Sequence, residues 1–449
     1  VSDRVLIVTL ALAAALAAAA WWTRPPPRER AWAPVQRAES FALGVDAAGV
    51  RAVEVSAGGV VARVAREGGW TLTLPDAHGG VHRWPADADA VRGMIRALVA
   101  TPLEDREGGV EPGAVDPIAA VRLESADGPP VELAATGRAL GGRIPLRVTT
   151  AAGVRRAFID AERFRPASPE HLAALADARP FAVGSGVDRG GGGGGGGAIA
   201  ALSIDAGESG FRLERRAGLW RVAGSEARVD RDAVGTFLDA LTRVRAAGVV
   251  YPFDADAIGR AVVRIQADAP LPRAPGQPPG TRSFTLTIGE QASIEGAIYA
   301  LAERTEPGEA RLLITLDPSS LPPLPAGVDT LLDPIPLPIP ADEGGVIEVR
   351  AGDHHRTLTR RVEGWTGDGI AARALLDELR RPRPARLLAG GERLPPAAEL
   401  IVSPLGTGGV ARLSLIESPE GLFLTDGSVA WACMPALLDT MRRLAGSGP

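Results

Sequence analysis

The residues that could do chemistry are few, and their spacing argues against most of it. His78 and His82 stand four apart in HGGVH, the spacing at which a helix would bring two imidazoles to one metal ion. Gly79 and Gly80 separate them and no HExxH glutamate is present, so an exposed loop is expected. His354 and His355 are adjacent in AGDHHR, where neighbouring side chains on extended backbone point apart. Cys433, the single cysteine, lies in the apolar run VAWACM with no base or cation nearby in sequence, which predicts a buried structural thiol. Ser185 in GSG lacks the GxSxG frame and a following histidine. Asp254/Asp256 and Asp87/Asp89 are spaced as paired carboxylates could be, but among 54 acidic residues they read as caps and solvated loops. Eight glycines at 190–197 lack the Lys and Ser/Thr of a phosphate loop. The chain has no lysine at all, which removes Schiff-base, P-loop and Ser–Lys chemistry. No catalytic, cofactor-binding or metal-binding residue is therefore assigned, and no cofactor is expected.

Charge points the same way. The net charge is -5 over 449 residues, and no arginine-rich run interleaved with aromatics appears, so a nucleic-acid partner is not expected. An apolar content of 45% suffices for packed cores, while 55 Gly and 38 Pro demand many turns.

Residues 5–22, VLIVTLALAAALAAAAWW, hold no charge from Val5 to the pair Trp21 and Trp22. As a helix this stretch would be ~27 Å long, close to the ~30 Å hydrocarbon core. The indole pair suits an interfacial belt, Pro25, Pro26 and Pro27 make a stiff exit, and Arg flanks both ends. A retained single-pass anchor is the favoured reading. A signal cleaved after Ala17–Ala20 and a buried core helix are the alternatives. The bulk of the chain is expected outside the cytoplasm.

The remainder reads as one α+β module written about three times. Each copy begins with an alternating strand (RAVEVS, AALSID, VIEVR) and continues in an arginine-bearing strand that reaches Trp70, Trp220 or Trp365. From Val53, Leu202 and Ile347 to those indoles the intervals are 17, 18 and 18 residues. A tight turn is expected just before each Trp. Asp87, Asp230 and Asp368 then stand as N-caps of amphipathic helices. The apolar faces are Val91, Met94, Ile95 and Leu98; Val234, Phe237, Leu238 and Leu241; and Ala371, Ala374, Leu375 and Leu379. Three or four further strands follow each helix, so each module is a mainly antiparallel sheet covered by one helix. The expected layout is an anchor or uncleaved signal at 1–24, modules at 40–189, 198–317 and a divergent 345–449, a glycine linker at 190–197 and a proline-rich linker at 318–344. APLPRAPGQPPG, residues 269–280, is expected to be a surface loop within the second meander. The three indoles are candidate core anchors, with a repeated partner surface as the functional alternative.

REGGWTLTLP with ADADAVRGMIRAL, VDPIAAVRLES, RAGLWRV with RVDRDAVGTFLDALTRVRAAGVV, and TLTIGE resemble a bacterial family known as domain of unknown function 4340. The likeness covers residues 40–320 well and the last third loosely, and its motifs are structural. It implies a protein of the bacterial inner membrane with its bulk in the periplasm. It also implies partnership with ABC transporter subunits or other envelope proteins of an export or gliding machine, and it supplies no catalytic residues. The expected function is thus a non-enzymatic membrane-anchored interaction protein. The alternatives are a released ligand- or glycan-binding protein and a carboxylate hydrolase.

Overall fold

The computed structural model describes residues 40–76, 78–105, 116–139, 141–165, 168–181, 199–207, 209–271, 280–292, 296–306, 308–337, 344–388, 395–405 and 409–446. The apolar stretch 5–22, Ser185 and the glycine run lie outside these residues. No described helix is long and apolar enough to cross a membrane.

Three modules share one strand order. Strand 1 (Val50–Ala57, Ala201–Ala206, Gly344–Ala351) pairs antiparallel with strand 2 (Val60–Arg66, Ser209–Arg216, His354–Arg361). Val53 faces Val64, Leu202 faces Leu213 and Ile347 faces Leu358 at the same rung, and all six are buried, as period-two alternation requires. On the opposite face the intervening arginines bond across the sheet: Arg63 reaches Glu124 at 2.8 Å and Arg212 reaches Asp268 at 3.1 Å. Strand 3 (Trp70–Pro75, Leu219–Val222, Gly364–Trp365) returns beside strand 2. In the second module Ala217 and Gly218 turn the chain at φ 49° and 83°, the left-handed pair that a two-residue hairpin favours.

The module helix (Ala88–Ala100, Arg231–Arg243, Gly369–Leu379) follows, and a strand of two or three residues comes next (Leu103–Asp105, Gly248–Val249, Ala385–Leu387). A four-strand meander completes each copy: Ala119–Ser125, Val131–Ala135, Arg143–Thr150 and Gly153–Asp160; then Ala261–Pro270, Thr281–Ala292, Ile298–Glu306 and Gly308–Leu316; then Pro396–Pro404, Ala411–Ser418, Gly421–Thr425 and Val429–Cys433. In space the order is 3-2-1-5-6-7-8-4 in every module, entirely antiparallel. The first sheet adds Val81–Pro85 beside strand 3 and Ser40–Phe41 beside strand 4, giving ten strands against eight and eight. The architecture is therefore α+β and repeated.

Three details differ from the sequence reading. The arginine strand and the Trp strand are separate strands joined by the turn, and the short fourth strand was not foreseen. The third helix buries Ala372, Leu375, Leu376 and Leu379, leaving Ala371 half-buried and Ala374 exposed. The leucines, which gain more from burial than alanines, set its roll.

After strand 8 each of the first two modules sends a tail back under its own helix start. Asp87 N–H donates to Leu175 O and Asp177 N–H to Pro85 O; equivalently Asp230 N–H donates to Leu331 O and Asp333 N–H to Arg228 O. Each tail then meets the next module: Ala246 N–H bonds Ala178 O, and Arg383 N–H bonds Pro334 O. The proline-rich stretch is thus a packed joint up to its last described residue, with Leu331, Leu332 and Leu337 buried. In the third module the helix Pro435–Ala445 covers the sheet instead, burying Leu437, Leu438, Met441 and Leu444. One connected core of buried side chains runs through all three modules.

Candidate binding edge on the third module

The histidines, cysteine and carboxylates singled out from sequence are not brought together. His82 lies on the strand Val81–Pro85, its Nε2 3.0 Å from Asp76 Oδ2 and its ring 4.2 Å from Phe253 of the second module. Burial would raise the Asp76 carboxyl, but the hydrogen bond from His82 and the amides of His78 and Gly80 outweigh it and hold the group below its usual value. His354 and His355 open an exposed strand. Asp254 caps a short 3-10 turn through Asp256 N–H, and Asp89 pairs with Arg92. Cys433 is half-buried, and burial pushes its thiol up against the opposing pull of the Arg383 guanidinium, a neighbour that the local sequence did not reveal. Among the described residues no three His, Cys, Asp or Glu side chains are grouped to hold a metal ion.

The equivalent indoles, by contrast, separate into two kinds. Trp70 and Trp220 are buried, at 9% and 7% exposure, while Trp365 is only half-buried. The cause lies in the chain that follows each. Sixteen residues separate Trp70 from its cap Asp87, nine separate Trp220 from Asp230, and two separate Trp365 from Asp368. The longer connections fold back along strand 3, as a strand in the first module and through an isolated bridge in the second, so that Ala86 N–H donates to Trp70 O at 2.8 Å and Val229 N–H to Trp220 O at 3.4 Å. Two residues cannot both turn and pair. Instead Gly367, at φ 84°, swings the chain directly into the helix, and a Cβ there would meet Arg356 and Leu358 atoms at 3.1 and 3.2 Å.

Strand 3 of the third module is consequently an open edge. Thr366 N–H bonds inward to Thr359 O, so by ladder alternation the amide and carbonyl of Trp365 face outward. Among the described residues no backbone group pairs with them, nor with Asp368 N–H, whose counterparts in modules one and two receive the tails. An open hollow of about 830 Å³ lies there, between the strand hairpin and the outer face of the helix. Trp365, Ile370 and Ala374 give it apolar walls, with Arg373 and Asp377 among its charged lining.

Two further substitutions relative to the other copies make this edge apolar. Asp89 and Asp232 put a carboxylate in the first helical turn, where it complements the helix dipole. The same place in the third helix is Ile370, 86% exposed. The hairpin tip, glycine-containing in the first two copies, holds Val362 at 107% exposure. The sequence reading grouped Trp365 with the other two; the signal that sets it apart is the two-residue gap to Asp368.

Sequence reasoning also missed Trp84 and Trp431, the largest fully buried side chains. Trp84 Nε1–H donates to Asp177 O and Trp431 Nε1–H to Asp333 O, one at each joint. Comparison with protein families, with curated proteins and with solved structures found no match. The resemblance drawn above therefore rests on sequence motifs alone.

Proposed function

We propose that this chain is a non-enzymatic interaction protein whose docking end is the open edge of its third module, the first two modules serving as a rigid spacer. The observation that carries this reading is the apolar rim of half-buried Trp365 and exposed Ile370 and Val362 around unpaired strand backbone, at a place the other two copies close with their own chain. Unprotected edges with exposed large apolar residues are a liability that proteins cover unless a partner does so. The finer reading, supported by the apolar segment 5–22 and the family resemblance, is a bacterial inner-membrane anchor with the bulk in the periplasm, serving an ABC-type export or envelope-assembly machine.

A photo-crosslinking side chain in place of Ile370, in the full chain in its own cell, tests the site. The expected result is a discrete adduct that is missing when the same group replaces Val154, another exposed apolar position, on the first module. Equal labelling from both positions, or none from either, would overturn the reading. Mass spectrometry of the adduct then decides between a transporter subunit and another envelope protein. An intact N-terminus on membrane-bound chain is expected for the anchor.

A further inference from the structure

We infer that the partner docks by strand addition: it lays an extended segment antiparallel to strand 3 of the third module, with a small or β-branched apolar residue against the Trp365 indole. This rests on the reading of that edge as the docking end, and specifies what the edge takes.

The chain itself displays the occupant twice. In the first module the return strand runs antiparallel to strand 3, with Leu72 opposite Trp84 and Thr71 opposite Pro85, and Ala86 bonds the Trp70 carbonyl. In the second, Arg221 and Arg228 face each other in an antiparallel bridge, Val222 N–H bonds Ala227 O, and Val229 bonds the Trp220 carbonyl. The inward residues are Trp84 and Ala86 in one copy and Ala227 and Val229 in the other, with Pro85 or Arg228 between them. The shared pattern is apolar, variable, small apolar, in extended backbone. Trp84, Ala227 and Val229 are buried and Ala86 is half-buried.

The third module retains the receiving half of this arrangement. Its indole is in the same register, with Arg360 opposite Trp365 as Arg215 is opposite Trp220. Its outward backbone groups are unpaired among the described residues, and its helix offers Ile370 where the other copies hold an acid. Main-chain bonds would supply affinity and the alternating pockets beside the indole would supply selectivity, the division of labour usual in strand addition. The rival occupant is the same edge of a second copy.

The test uses the full chain and a fluorescein-labelled peptide of residues 80–87, GVHRWPAD. Saturable binding is expected, with slowed amide exchange in residues 364–366. Methylating the peptide nitrogen that corresponds to Ala86 should weaken binding by about tenfold, the worth of one hydrogen bond and a clash. Ile370→Asp, a change at an exposed position, should weaken it by a similar factor while leaving the fold intact. Failure to saturate at millimolar peptide, or equal binding of the methylated peptide, would overturn strand addition. So would concentration-dependent dimers that Ile370→Asp dissolves, since a second copy would then be the occupant. Adducts at Ile370 together with a failed peptide test would sink the strand but keep the docking site; absent adducts would sink the site itself.

Discussion

Asp76 and Gly289 show how much single residues carry, the first at a module contact and the second inside the second module. Asp76 accepts from His78 N–H at 2.8 Å, from Gly80 N–H at 2.6 Å and lies 3.0 Å from His82, whose ring packs at a 43° tilt against Phe253. Its carboxyl is held below the ordinary 3.8, so the folded state gains from the ionised form. That gain is complete above the ordinary value and disappears as pH falls through the lower folded value. Asp76→Asn should therefore melt earlier than the parent at neutral pH, with the two melting temperatures converging in strong acid. A difference that stays constant from pH 7 to 2 would contradict this. Gly289, the fifth residue of the TLTIGE motif, matters for a different reason. A Cβ there would collide with the Ile258 carbonyl oxygen, because strand 6 of the second module passes directly under the turn Ala255–Ile258. Both partners are backbone, so Gly289→Ala should cost about 3 kcal/mol in denaturant unfolding, at the upper end of overpacking penalties.

Elements differ in how they use the same residue type. Asp87 and Asp230 each accept two amides of the first helical turn, whereas Asp368 accepts only that of Ala371. Substitution by Ala should cost about 1 kcal/mol at the first two and about half that at the third, measured by chemical denaturation. The indoles separate more widely. Trp220→Ala removes a buried side chain and should cost about 3–5 kcal/mol, while Trp365→Ala, half-exposed, should cost about 1 kcal/mol and act on binding instead. These elements were legible in sequence to the extent that they carry periodicity. The 3.6-residue stripe on the first two helices and the alternation in Val50–Ala57 specify faces without tertiary help. The strands Leu103–Asp105 and Gly248–Val249 are too short to show any alternation. Val81–Pro85 reads as loop because Gly79, Gly80 and Pro85 punctuate it. The open edge was legible only as a missing connection, the two residues between Trp365 and Asp368, which gains meaning once the other copies are seen to fill the gap.

At the scale of the whole molecule, three modules become one body through two joints built from the same parts in exchanged positions. At the first, Trp84 comes from the earlier module and Arg304 from the later; the guanidinium lies 4.4 Å from the ring and 3.7 Å from Asp177, and is 4% exposed. At the second, Arg228 comes from the earlier module and Trp431 from the later, with Asp333 3.4 Å from the guanidinium. No local pattern could announce this, since the carbonyls that receive the two indole N–H groups are 93 and 98 residues away. Arg304→Met should cost about 2 kcal/mol, less than the roughly 3–5 kcal/mol of leaving a buried charge unpaired, because Arg179 stays 2.9 Å from Asp177 and keeps that carboxylate compensated. Trp431→Phe keeps an aromatic ring but strands the Asp333 carbonyl, at about 1–2 kcal/mol. The decisive readout is cooperativity. A core continuous through all modules should unfold in one transition, and weakening a joint should let the flanking module melt separately. Trp431→Phe is thus expected to split the denaturant curve, with amide exchange in the third module rising ahead of the rest. A single transition at an unchanged midpoint would mean the modules are stable independently and the joints only orient them.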